Sequence, residues 1–301
     1  MLSGLLLATL AHLLIGISLV WDKVLLERKE TRKLIPYVFW LGAISIFGLV
    51  LIPFGFKPPP FRLAALSFTA GLLDLIASFF YYSALKSGEA SEELAAMGGF
   101  GPVITALISI PLLKEPIGED VIGFALMSAG GFAMFFAEKL PFRKILPKIL
   151  IAAGGFGLMN VLQKIVFNQI NFVSGYVWFT LGTFIGSIAL LVPPSWRNEI
   201  FQVSEKAQPK SKFWYMFNRI LAGVGSFLVV LAISRATPSI VQSVSGLRYV
   251  TIFAGAYLIS RFKPFWFRED FNGWTLLVKT TGTGLVIAGL ILAGLHGKGS
   301  R

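Results

Sequence analysis

The chain carries one of its own segments twice. Residues 84–116 read Ala-Leu-Lys-Ser-Gly-Glu-Ala-Ser, an apolar stretch, then Leu-Leu-Lys-Glu-Pro. Residues 232–264 read Ala-Ile-Ser-Arg-Ala-Thr-Pro-Ser, an apolar stretch, then Ser-Arg-Phe-Lys-Pro. The two align without a gap at an offset of 148 residues, with Ala84 on Ala232, Ser91 on Ser239, Gly98 on Gly246 and Pro116 on Pro264. A chain written twice folds as two like units packed on each other. A weaker match sets Trp21-Asp22-Lys23-Val24 on Leu162-Gln163-Lys164-Ile165.

Composition decides the solvent for this pair of units. Only 14% of the 301 residues are charged, against about 25% in an ordinary soluble domain, and the mean hydropathy is +0.74. A soluble fold of this length could not hide so much apolar surface, so lipid is its natural surrounding. Ten segments are long and apolar enough, or nearly so, to cross a bilayer: 2–25, 34–53, 61–85, 90–113, 118–137, 145–167, 172–192, 213–234, 239–260 and 274–295. The first lacks a basic leader and a small-residue cleavage pattern, and reads as a retained helix. Proline and charge mark the connections, and the longest, 195–212, is polar and reads as a surface loop.

The offset divides the ten segments into two sets of five, residues 1–140 and 141–301. An odd number of spans per unit forces the two copies into opposite orientations. The expected fold is therefore an all-α integral membrane protein, with ten transmembrane helices as two inverted five-helix repeats. Small residues recur at helical spacing, as at Gly182 and Gly186, and such faces let helices approach closely in lipid.

Several function classes drop out. With no cysteine there is no disulfide, thiolate metal site or cysteine nucleophile, and two histidines are too few for a histidine-rich metal centre. The net charge of +12 sits mostly in short connections between apolar runs, the usual place for it in a membrane protein, and not in a nucleic-acid footprint. No GxSxG, HExxH or P-loop pattern is present, so the expectation is no enzyme, no cofactor and no nucleic-acid partner.

More specific motifs lie within this frame. Tyr82-Ser83-Ala84-Leu85 ends the third segment, Gly101-Pro102 lies inside the fourth, Lys114-Glu115-Pro116 follows it, and Gly123 and Gly130-Gly131 lie in the fifth. The second copy echoes them with Ala232-Ile233, Lys263-Pro264 and Gly282 to Gly289, but has Lys263 at the place of Glu115 and Arg248-Tyr249-Val250 at that of Phe100-Gly101-Pro102. In these motifs the chain resembles the EamA-like family of the drug/metabolite transporter superfamily. The resemblance implies a midplane cavity lined by the first, third, fourth, sixth, eighth and ninth helices, in a multi-pass protein of the cell membrane.

Ionisable groups inside a span are costly and therefore informative. Asp74 lies mid-way along the third segment, on a face with Ser67, Gly71, Ser78 and Tyr81; that face suits a cavity or a partner helix. Arg248 lies mid-way along the ninth, near Gln242, Ser245 and Tyr249. Its fork can grip a carboxylate or phosphate, or it can neutralise Asp74. His12 on the first helix is a candidate proton carrier, and Asn160 on the sixth a candidate polar contact. The set Asp74, Arg248, Tyr81, Ser78, Ser245, Tyr249, Gln242, Asn160 and His12 is thus the expected substrate site. Glu93, Asn218 and Arg219 enter the spans from their ends. Mixed charge favours a zwitterion or organic anion, such as an amino acid, moved by secondary transport as an exporter or exchanger. A lipid or sugar-nucleotide translocator on the same fold and a non-transporting membrane protein are the alternatives, and homodimerisation stays open.

Overall fold

A computed structural model describes residues 2–27, 33–86, 90–115, 120–136, 142–206, 209–248, 250–252, 254–255 and 273–299. Every regular element among them is helical. In chain order they are α1 (Leu2–Glu27), α2 (Leu34–Ile44) continuing as a 3-10 helix (Ser45–Phe54), α3 (Phe61–Leu85), α4 (Ala90–Leu113), α5 (Asp120–Phe136), α6 (Phe142–Phe167) and α7 (Phe172–Ala189). Then follow α8 (Pro194–Lys206), α9 (Pro209–Arg235), α10 (Pro238–Ser243) with a 3-10 turn (Val244–Gly246), and α11 (Gly273–Gly299). Residues 247–248, 250–252 and 254–255 are helical beyond that turn.

Six of these are long and apolar enough to cross a membrane: Leu2–Asp22, Leu34–Phe54, Phe61–Leu85, Ile145–Phe167, Phe172–Ala189 and Lys212–Arg235. Met97–Leu113, Val121–Ala133 and Leu276–Leu292 are shorter apolar helical stretches. The chain is thus a helical, multi-pass membrane protein.

Helix boundaries follow local chemistry. Pro194, Pro209 and Pro238 each open a helix, where the missing N–H costs nothing and φ is already helical. Asn171 caps α7 by accepting a 2.9 Å bond from the Ser174 N–H. Gly55, with φ +110°, ends the 3-10 helix in the left-handed region, which glycine enters without penalty. The 195–212 connection is not a plain loop: α8 fills most of it, and Ile200 is buried against Ile35 and Phe39.

Small residues set the packing. α1 lies on α9, α3 on α6 and α7, α4 between α5 and α6, and α5 on α11. At Gly182 a Cβ would stand 2.0 Å from the Phe68 carbonyl oxygen, and at Gly71 2.0 Å from that of Phe179, so α3 and α7 touch backbone to backbone. Hydrogen bonds staple the same seam. Thr183 Oγ1 donates to the Gly71 carbonyl at 3.1 Å and Ser67 Oγ to that of Gly175 at 2.6 Å. Each such interhelical bond contributes about 0.6 kcal/mol in lipid; close packing supplies the rest.

Candidate functional site

A cavity of about 680 Å³ lies among the helices, lined by residues of α1, α2 with its 3-10 extension, α3, α4, α6, α7, α9 and α10, and by Ser245 and Arg248 beyond it. That size suits a small organic molecule. Its walls are mainly apolar, with polar side chains at a few points.

Seven of the nine expected site residues line it: Asp74, Ser78 and Tyr81 from α3, Asn160 from α6, Gln242 from α10, Ser245 and Arg248. The face drawn through Asp74 divides in two. Ser78 and Tyr81 reach the cavity with Asp74, whereas Ser67 and Gly71 are used in packing against α7. Tyr249 lies outside the described residues, as does the side chain of Glu93.

His12 stands behind the wall and not on it. Its Nε2–H donates to the Val241 carbonyl at 2.9 Å, and its Nδ1 accepts from Arg248 Nε at 2.8 Å. The two bonds fit one neutral tautomer, so His12 orients the guanidinium. Gly16 permits this: a Cβ there would meet Thr251 Cβ at 2.7 Å and Arg248 Cα at 3.2 Å. Of the two roles open to Arg248, direct pairing with Asp74 is not the one seen. Among the described residues no ion pair joins them; both groups instead border one cavity.

Asn160 is fully buried, and neither its Oδ1 nor its Nδ2 has a protein partner. An unsatisfied buried amide costs about 1–3 kcal/mol. It belongs to the cavity wall, but both amide atoms are closed off from the cavity itself, so a ligand reaches them only when the wall shifts.

One charged centre is only half marked in the sequence, which points to Asn218 and Arg219 but not to Asp22. Asp22 of α1 is fully buried and forms an ion pair with Arg219 of α9. The carboxylate also accepts from Tyr37 Oη at 2.5 Å, Tyr82 Oη at 3.0 Å and the Asn218 amide. The guanidinium donates to Tyr82 Oη at 3.0 Å and Tyr37 Oη at 3.2 Å, and lies 4.9–5.7 Å from the ring centres of Tyr37, Tyr82 and Tyr215. Tyr215 Oη closes the cluster on the Tyr37 carbonyl at 2.9 Å. Trp21 and Trp214 stack beside it, 5.3 Å apart and 8° from parallel. Asp22, Tyr82 and Arg219 line the cavity, so this cluster ties α1, α2, α3 and α9 together at one part of the wall. The available signal was a carboxylate inside an apolar run, next to a lysine that made it look interfacial.

A second, smaller polar junction joins α3 and α6, where Gln163 Nε2 donates to Ser67 Oγ at 3.2 Å. Lys164, next to Gln163, donates to the Ile233 carbonyl of α9 at 3.1 Å. Ser239 donates to the Glu115 carboxylate. No group of three or more histidine or acidic residues able to hold a metal occurs among the described residues.

Comparison with known proteins adds a family and a fold. Residues 2–137 match the EamA-like transporter family. A protein crystal structure superposes with a TM-score of 0.66 at 16% identity, over 97% of this chain and 96% of that one. That likeness concerns the fold alone. A comparison with the curated proteins finds no match.

Proposed function

We propose that this chain, whose residues 2–137 match the EamA-like transporter family, is a secondary transporter of ten transmembrane helices in two inverted five-helix repeats. It moves a small metabolite with charged groups, such as an amino acid or organic anion, across the cell membrane by alternating access. The match over residues 2–137 supports reading it as a membrane transporter of the drug/metabolite superfamily; the repeat arrangement, substrate and mechanism are our reading.

The observation that carries this reading is the pairing of cavity residues at the repeat offsets. Ile15, Ser18 and Leu19 line the cavity, and so do Phe156, Met159 and Asn160, each 141 residues later. Asp74, Ser78, Tyr81 and Tyr82 line it, and so do Ala222, Ser226, Val229 and Val230, each 148 residues later. The helix neighbours follow the same rule: α1 packs on α9 as α6 packs on α3. A cavity built from equivalent positions of two units straddles the axis between them, where one unit can rock against the other around a fixed site.

Equivalent positions carry unlike chemistry, which gives the site its polarity. Asp22 corresponds to Gln163, Leu19 to Asn160, and Asp74 to Ala222. The α1–α9 seam thus carries the charged Asp22–Arg219 pair where the equivalent α6–α3 seam has the neutral Gln163–Ser67 bond; Ser67 corresponds to Tyr215 and Arg219 to Gly71. Asp74, Arg248 and Asn160 are the residues that meet substrate in this reading. A gradient or exchange supplies the energy.

Purified protein in liposomes preloaded with each member of a metabolite panel tests this by counterflow. Uptake of labelled amino acid or organic anion above empty liposomes, reduced by Asn160→Leu, is the expected result. Absence of counterflow across the panel by folded protein would oppose it.

A further inference from the structure

Four residues on the cavity wall are largely exposed. Phe47 and Val50 of the 3-10 helix are 69% and 63% exposed, and Ile220 and Val224 of α9 are 55% and 46% exposed, yet all four line the cavity. We read side chains this exposed on a cavity wall as the rim of an opening. The 3-10 helix packs on α7 and α2, and α9 on α1, α6 and α7, so the opening lies between the two. Its two ends are closed by specific contacts. At one, Tyr215 of α9 bonds the Tyr37 carbonyl of α2. At the other, Tyr176 of α7 meets Phe227 of α9 edge to face, with ring centres 5.2 Å apart.

The surroundings of the rim decide what it faces. All four rim residues fall within apolar spans, Leu34–Phe54 and Lys212–Arg235. An apolar rim at membrane depth opens to acyl chains, not to water. Local structure explains why the wall is thin there. The Ser45–Phe54 segment buries none of its residues, and Gly223, also on the cavity wall, has nothing within 4 Å of where a Cβ would stand.

Resting on the transporter reading, we infer that the cavity takes a single-tailed amphiphile sideways from the bilayer. The apolar tail lies between Phe47, Val50, Ile220 and Val224, and the charged head enters the cavity. Asp74 and Arg248 border that space with no ion pair between them, so the two ends of a zwitterionic head each meet a group of opposite charge on the wall. The volume of about 680 Å³ holds a head group of drug-like size and leaves the tail in the opening. This narrows the substrate class to metabolites with a lipid-soluble part.

The test is photocrosslinking of the full chain in liposomes with a lysophosphatidylcholine that carries a diazirine near its head group, followed by peptide mapping. The expected result is labelling of interior residues such as Phe156 and Met159 as well as the rim. Gly223→Trp fills the opening from a position with free space and should cut interior labelling about tenfold; Ile220→Trp narrows it from an exposed position and should cut it in the same direction. Thermal unfolding reports whether each variant is folded. Labelling confined to outward-facing residues, interior labelling undiminished in both folded variants, or crosslinking of Val224 to a second copy of the chain would each overturn the inference. Crosslinking needs no turnover, so its outcome is independent of whether the counterflow assay supports the transporter reading.

Discussion

The buried Asp22–Arg219 pair predicts a large, coupled effect on stability. Taking one partner from a buried ion pair costs about 3–5 kcal/mol, because it strands the other charge. The two single variants strand different things. In Arg219→Gln the carboxylate keeps donors from Tyr37 at 2.5 Å, Tyr82 at 3.0 Å and Asn218. Hydrogen bonds to a charged group are worth about 1.5–3 kcal/mol each, so this variant falls near the low end, about 3 kcal/mol. In Asp22→Asn the guanidinium keeps the Tyr82 and Tyr37 oxygens and three nearby rings, but no anion. Cation–π contacts of about 0.5–2 kcal/mol each persist in the variant but replace no anion, so its cost stays within about 3–5 kcal/mol. The double variant strands no charge, so it should cost less than the sum of the singles by at least about 2 kcal/mol. Unfolding by SDS in mixed micelles, followed by tryptophan fluorescence, reads this directly, since Trp21 and Trp214 stack beside the pair. Additivity of the two substitutions within about 0.5 kcal/mol would refute the reasoning.

Three further outcomes follow from the site and the packing. Gly182→Ala places a Cβ 2.0 Å from the Phe68 carbonyl oxygen, so α3 and α7 must separate. Overpacking of this kind costs about 1–3 kcal/mol, and the thermal midpoint in detergent should fall, while Gly223→Ala, which meets nothing within 4 Å, leaves it unchanged. Asp74→Asn removes a carboxyl from the cavity wall; counterflow is expected to persist at a reduced rate, because Asn still offers a polar contact to substrate, while acceleration by an imposed pH gradient disappears, and gradient-driven uptake surviving in this variant would put coupling elsewhere. Arg248→Ala should lower transport at least tenfold with little loss of expression, and His12→Gln should lower it less, because an amide can still accept from Arg248 Nε. Equal loss of expression and transport in Arg248→Ala would make the residue structural.

Much of this was legible because lipid leaves few choices. The spacing that put Ser78 and Tyr81 on the Asp74 face is a helical periodicity, and all three meet in the cavity. The apolar run at 90–113 coincides with α4. What escaped depends on contacts between distant segments. Asp22 and Arg219 lie 197 residues apart, and nothing local to either announces the other. The same holds for the bond from Arg248 to His12, which left Asp74 as the only partner that sequence position suggested. Ser67 and Gly71 share Asp74's helical face, yet their small size let α7 claim them for packing. In 195–212 the charges outweighed Ile200, whose burial against α2 is what holds α8 in place.

The central claim, a site reached in turn from either side of the membrane, is tested most directly by a single cysteine in the cavity. The chain has no cysteine of its own, and Gly101 lines the cavity with nothing within 4 Å of its Cβ position. Gly101→Cys in oriented liposomes should react with a membrane-impermeant maleimide added to the outside alone and, separately, to the inside alone, while the liposomes remain impermeable to ions. Reaction from one face only, or from both faces together with an ion leak, would contradict alternating access.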